Sequence, residues 1–129
     1  MNRIMIIAVL IGLQISTGCS PNKKYVQTEL YFGLSQPGGE IIHDTAWNRF
    51  VQNAVARIFP AGFSELHVQG KWYDVNQQQL ISEPSRMITV VYKPTQILSL
   101  QIDSLRNRYK DLFRQQSVLR VDKRAGISF

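Results

Sequence analysis

Between residues 29 and 34 the chain alternates. Leu30, Phe32 and Leu34 fall on one side of an extended segment, and Glu29, Tyr31 and Gly33 on the other. A period of two marks a half-buried strand. The run Ser35-Gln36-Pro37-Gly38-Gly39 ends it, because Pro and Gly favour a turn over a ladder. The period then lengthens. Trp47, Phe50, Val51, Ala54, Val55, Ile58 and Phe59 recur at steps of three and one, the wide apolar stripe of a helix, with Asp44 or Thr45 as its cap and Pro60 and Gly62 as its stop.

Alternation returns from Glu65 to Tyr73. Leu66, Val68, Gly70 and Trp72 share one side, while Glu65, His67, Gln69, Lys71 and Tyr73 share the other. Asn76-Gln77-Gln78-Gln79 reads as a hairpin tip, and Ile81 to Ser85 as a loop leading into a strand over Ser85–Tyr92. Pro94-Thr95 opens a second helix, striped by Leu98, Ile102, Leu105, Tyr109 and Leu112. Ser117 to Lys123 forms a last strand.

The order β-α-β-β-α-β predicts an α+β fold of the split βαβ, or ferredoxin-like, kind: a two-layer sandwich with a four-stranded antiparallel sheet. Right-handed crossovers place both helices on one face. The apolar side of the third predicted element, Leu66, Val68 and Trp72, is expected to meet those helices, which makes Trp47 and Trp72 core residues. The opposite face then presents Tyr31, His67, Gln69, Lys71 and Tyr73, with Arg120 beside them and a dent at Gly33. A mixed aromatic and polar face of this kind suits a small ligand or a second copy of the chain.

The first residues follow neither period. Met1-Asn2-Arg3 is a positive start, Ile4 to Leu13 carries no charge, and Ser16-Thr17-Gly18-Cys19 follows. That is the build of an export signal, and the apolar run is too short for a spanning helix. A Cys directly after small residues resembles the bacterial lipobox, which implies cleavage before Cys19 and acylation of its thiol. Ser16 departs from the pattern, where Leu is usual. The expected organisation is a signal over 1–18, a lipid-anchored tether over 19–28 and the folded domain over 29–129. The expected address is the bacterial cell envelope, on the periplasmic side of a membrane, and Ser20 after the Cys suits the outer membrane of a Gram-negative host.

Composition narrows the chemistry further. The 129 residues fit one domain, and 44% apolar content excludes wholesale disorder. The formal charge is +6, skewed towards the C-terminal end, where Arg106, Arg108, Lys110, Arg114, Arg120, Lys123 and Arg124 face only Asp111 and Asp122. Export argues against nucleic acid, and an anionic membrane surface or plain solvation accounts for the excess. A single Cys forms no internal disulfide. His43 and His67 lack metal-ligand spacing, no Gly-x-Ser-x-Gly elbow is present, and no cofactor motif appears, so neither a metal nor a cofactor is expected. Glu83 and Ser85 are candidates for hydrogen bonds to a substrate or, more commonly, to turn backbone.

Several segments carry a family resemblance as a set: Glu29 to Ser35, Trp47 with Phe50-Val51, Phe59-Pro60 with Gly62-Phe63, Gly70 to Asp74, Glu83-Pro84-Ser85, Tyr109 to Phe113 and Gln116 to Asp122. Together they resemble an uncharacterised bacterial domain-of-unknown-function family of small secreted proteins and lipoproteins, over about residues 28 to 129. The resemblance implies an exported or lipidated protein and implies no reaction. The expectation is therefore an envelope lipoprotein whose open sheet face serves as a non-enzymatic binding or interaction surface. The alternative is a cofactor-free small-molecule enzyme, with His67 as base and Tyr31 and Tyr73 as hydrogen-bonding partners. The latter rests on fold analogy alone.

Overall fold

The computed structural model describes residues 24–129. The expected signal over 1–18 and the lipidation site Cys19 lie outside the described residues. Strand β1 (Tyr25–Gly33) leads to helix α1 (Asp44–Phe50), a π-helical turn (Val51–Val55) and a short continuation α2 (Ala56–Ile58). The hairpin of β2 (Ser64–Asp74) and β3 (Gln79–Tyr92) follows, then helix α3 (Gln96–Phe113) and strand β4 (Leu119–Ala125). The sheet order is β2-β3-β1-β4, every neighbouring pair antiparallel. This is the ferredoxin-like sandwich, in which each central strand leads through a helix, across the other central strand, to the edge strand beyond it.

β1 begins earlier than its hydrophobic alternation suggests. Residues 25–28, assigned from sequence to the tether, are strand, and Thr28 is fully buried with its hydroxyl within 2.8 Å of the Tyr92 hydroxyl. Thr28 also donates to Asp122. A buried threonine paired to polar side chains leaves no apolar signal, so period alone misses it.

Leu30 and Phe32 on β1 and Ile88 and Val90 on β3 meet Trp47, Phe50, Ile102, Leu105 and Tyr109 from the helices. The Phe32 ring stands edge-on to Trp47 at 5.3 Å, Phe50 at 5.8 Å and Tyr109 at 4.8 Å between centroids. Each such pair is worth about 0.5–1.5 kcal/mol beyond burial. Leu112, expected in the stripe of α3, is exposed, and Phe113 packs instead on Tyr109 at 4.8 Å. Thr95 caps α3 as the sequence predicts, accepting from the Leu98 N–H at 3.1 Å. At α1 the cap position is His43, without a side-chain bond. Asp44, expected there, pairs with Arg86 instead.

Ile81 to Ser85 is not a loop; it lies within β3. Pro84 is tolerated in this central strand for a specific reason. Its carbonyl accepts from Leu34 N–H at 3.0 Å, so its missing N–H faces the same neighbour, just where β1 ends at Gly33. Beyond that point residues 70–74 and 79–83 pair only with each other, as an overhanging two-stranded arm.

The register overturns one expectation outright. Glu65 pairs with Ile88 and His67 with Arg86, while Leu30 pairs with Ile88 and Phe32 with Arg86. Directly paired residues share a face, so Glu65, His67, Gln69, Lys71 and Tyr73 belong to the helix side. Leu66, Val68, Gly70 and Trp72 belong to the open face. The cause is a polar knot under α1. The Trp47 indole donates to Glu65 Oε1 at 2.7 Å, and Arg86, with a side chain only 8% exposed, reaches the same oxygen at 3.3 Å. The helices do not extend over the arm, so His67, Gln69, Lys71 and Tyr73 are exposed although they lie on the helix side.

Glu65→Ala is expected to cost about 2 kcal/mol in urea unfolding, because it leaves the buried Arg86 and the Trp47 N–H short of an acceptor. Tyr73→Ser, on the arm, is expected to change stability by less than about 0.5 kcal/mol. Equal effects from the two would argue against the knot.

Candidate functional site

The open face of the sheet is built in rows. One row runs Leu66, Met87, Tyr31, Leu119; the next holds Val68, Ser85 and Gly33; beyond β1 come Gly70 with Glu83 and Trp72 with Ile81. Of the residues read from sequence as one face, Tyr31 and the dent at Gly33 are here. His67, Gln69, Lys71 and Tyr73 stand on the other side. Arg120, placed beside them from sequence, also belongs to the helix side and reaches Ser99 Oγ and Asp103 at 3.2 Å. Trp72, expected in the core, is half exposed on the open face.

A cleft of about 660 Å³ opens at the end of this face. Tyr31 and Trp72 supply its rings, Glu83 and Ser85 stand on β3, and the segment Arg114 to Ser117 closes the far side. That segment exists because α3 stops at Arg114, whose φ of 51° is left-handed and turns the chain out of the helix. Gln115 then reaches back: its Nε2 donates to the Ser35 carbonyl at 2.8 Å and to the Phe113 carbonyl at 3.2 Å. Tyr109 secures the same corner from below, donating its hydroxyl to the Gly33 carbonyl at 2.8 Å. Burial holds the Tyr109 phenol well above its ordinary range, so it remains a donor.

Gly33 is the dent expected from sequence. A Cβ placed there would come 3.2 Å from Gln115 Oε1. The missing side chain leaves room for the Gln115 amide at the cleft floor.

Beside the cleft sits a polar cluster. Glu29 accepts from the Tyr31 hydroxyl at 2.9 Å, from Lys123 Nζ at 3.0 Å and from Gln27 Nε2 at 3.2 Å. The hydrogen bond from Lys123, then that from Tyr31, holds the Glu29 carboxyl below the usual range, and the same carboxylate raises the Tyr31 phenol. Tyr31 therefore presents its ring rather than its hydroxyl to an incoming group. The arrangement can stack a flat group on an exposed ring and offer carboxylate, hydroxyl, amide and guanidinium partners around it. Among the described residues no three His, Cys, Asp or Glu side chains gather to hold a metal.

Sequence reading missed the Arg114 to Gln116 wall. The polar run after a helical stripe was a legible signal, since it marks a connection long enough to fold over a sheet edge. Glu83 and Ser85 were legible as candidates, but their strand setting was not.

The family model described as "Protein of unknown function (DUF3574)" matches residues 27–129. The chain belongs to this family. No curated protein matches its sequence. Among solved structures, a phage SAM lyase in complex with S-methyl-5′-thioadenosine is similar at TM-score 0.59 and 16% identity, covering 81% of this chain and 84% of that one. The same lyase in its apo state is similar at TM-score 0.57 and 18% identity, covering 79% and 82%. CutA from Synechococcus elongatus, with bound Bis-Tris, follows at TM-score 0.49 and 11% identity, covering 80% and 82%. These likenesses are of fold.

Two outcomes check the site. The Glu29 carboxyl, followed by NMR, is expected to titrate below an ordinary glutamate and to move up in Lys123→Ala. The interaction stabilises the fold above the ordinary glutamate range and is lost as pH falls through the lowered value. An unmoved midpoint in Lys123→Ala would remove the cluster. Gly33→Val is expected to displace Gln115 and narrow the cleft, seen as a shifted Gln115 side-chain amide resonance; an unshifted resonance would show that the floor does not depend on Gly33.

Proposed function

We propose that this DUF3574 member is a lipid-anchored binding module of the bacterial cell envelope, holding a small, flat, polar ligand in the cleft on its open sheet face. One observation carries the reading: the half-exposed indole of Trp72 opens into the same cleft as Glu83, Ser85, Ser117 and Arg114. A free ring in a concave site lets a planar group stack, and the polar groups around it fix orientation. The cleft volume falls within the range of small-molecule sites, about 300–1,000 Å³.

The enzymatic alternative required His67 as base between Tyr31 and Tyr73. His67 and Tyr73 lie on the helix side of the register, so only Tyr31 of that set is available to a ligand in the cleft. The binding reading needs none of them to move a proton. The lyase of similar fold was determined with a nucleoside thioether, a flat base on a ribose that carries the hydroxyls, and such a compound is a reasonable first probe.

The envelope address rests on the sequence before the domain. Acylation at Cys19 places the domain on the periplasmic side of a membrane, the outer membrane in a Gram-negative host. A second copy seated on the open face is the competing occupant of the same surface.

Mass spectrometry of small molecules retained by the mature chain, purified from its own envelope, is expected to find one compound at near-stoichiometric amount. Trp72→Ala is expected to retain it at least about tenfold less, the loss of one stacking contact. A wild-type chain that retains nothing and sediments as a dimer sealed over the open face would overturn the reading. Labelling with a fatty-acid analogue is expected for wild type and not for Cys19→Ala; equal labelling would end the lipid anchor.

A further inference from the structure

The outer surface of the helix layer carries a second feature, remote from the cleft. A groove runs between the two helical segments, lined by Arg57 and Ile58 on one side and Ile97, Leu100 and Arg108 on the other. Ile97 is 71% and Leu100 60% exposed. The core stripe of α3 runs through Ile102, Leu105 and Tyr109, so Ile97 sits about a third of a turn and Leu100 about half a turn away from it, outside the core. The groove has two arginines and no acid in its lining, and among the described residues neither Arg57 nor Arg108 is held in an ion pair.

The position of this groove relative to the chain's entry point identifies its occupant. The described chain enters at Lys24, and Tyr25 lies beneath Lys93, whose Nζ is 5.6 Å from the ring centroid. Lys93 is followed by Pro94, Thr95 and the start of α3 at Gln96. The exposed Ile97 and Leu100 are thus at the end of the domain where the tether arrives, together with Lys24 and Lys93. From Cys19 to Tyr25 is six residues, which span at most about 20 Å even when extended. A membrane anchored at Cys19 cannot be far from this end of the domain.

We propose that the groove between the helices is a docking surface for an anionic lipid bilayer, with Ile97 and Leu100 entering the interface and Arg57, Arg108, Lys93 and Lys24 facing lipid headgroups. The proposal rests on the lipid anchor at Cys19 argued above. Basic residues near an anionic surface contribute about 1 kcal/mol each, and shallow burial of two aliphatic side chains adds to that. Docking through the helix layer turns the opposite face of the sandwich, with its cleft, away from the membrane and towards whatever the module binds. The anchor supplies attachment; the groove supplies orientation.

The test uses the mature, lipidated full-length chain on vesicles and a water-soluble maleimide. In wild type the Cys19 thiol is acylated and should not react; a reactive wild type would show that the anchor reading has failed, independently of docking. Leu100→Cys, at an exposed site that the fold tolerates, is expected to label at least about tenfold more slowly on phosphatidylglycerol-containing vesicles than on phosphatidylcholine alone. Leu66→Cys, on the open face, is expected to label at the same rate on both. Arg57→Gln combined with Arg108→Gln is expected to abolish the difference at position 100. A silent wild type with equal labelling of Leu100→Cys on the two vesicle types overturns the proposal, as does slowing at both positions, which would mean that the chain has no preferred face towards lipid.

Discussion

The fold turns on a knot of three side chains beneath α1. Glu65 accepts from the Trp47 indole at 2.7 Å and from the buried Arg86 at 3.3 Å, and Arg86 also pairs with Asp44 at the first turn of the helix. A guanidinium that is nearly out of solvent is tolerated only with its acceptors in place. Slipping β2 by one residue against β3 would withdraw Glu65 from both donors and send every side chain of the strand to the opposite face. The knot therefore fixes more than stability. It decides that Trp72 opens to the cleft and that His67 does not.

Most of the architecture was legible from period alone. The stripe from Trp47 to Phe59 and the alternation Leu30-Phe32-Leu34 each report one buried face against solvent and correspond to core packing, and Thr95 marks the start of α3 as its cap. Element order then constrained topology, because a right-handed crossover leaves few arrangements. β2 was misread because the premise of alternation fails there. Its distal half forms an arm over which no helix lies, so neither side is buried and the apolar side need not be the inner one. Leu66, Val68 and Trp72 are apolar on the open face, where Trp72 lines the cleft, while Glu65 is a carboxylate on the inner face, because Trp47 and Arg86 need an acceptor. An inward glutamate matched to a buried arginine far along the chain leaves no local pattern.

The site was partly legible for the same reason. Tyr31 and Gly33 follow from the parity of β1, a strand flanked on both sides and covered by helices, where alternation means what it usually does. Gln115 could not be placed, since its role depends on a left-handed residue at Arg114 that folds the chain back over Gly33. The cleft emerges from that closure: a strand end, an overhanging arm and a helix exit converge on one concavity, and the glycine leaves space for the amide that closes it.

The sandwich thereby separates two roles. The sheet carries the concave, aromatic and polar surface, and the helix layer carries the apolar and basic one near the chain's entry. The first assignment presupposes the β2 register, because Trp72 lines the cleft. The most direct measurement is the set of nuclear Overhauser contacts made by the Trp47 indole N–H. The account predicts contacts to the Glu65 side-chain methylenes; contacts to the Leu66 methyls in their place would mean that β2 presents its other face to the helices, and would contradict it.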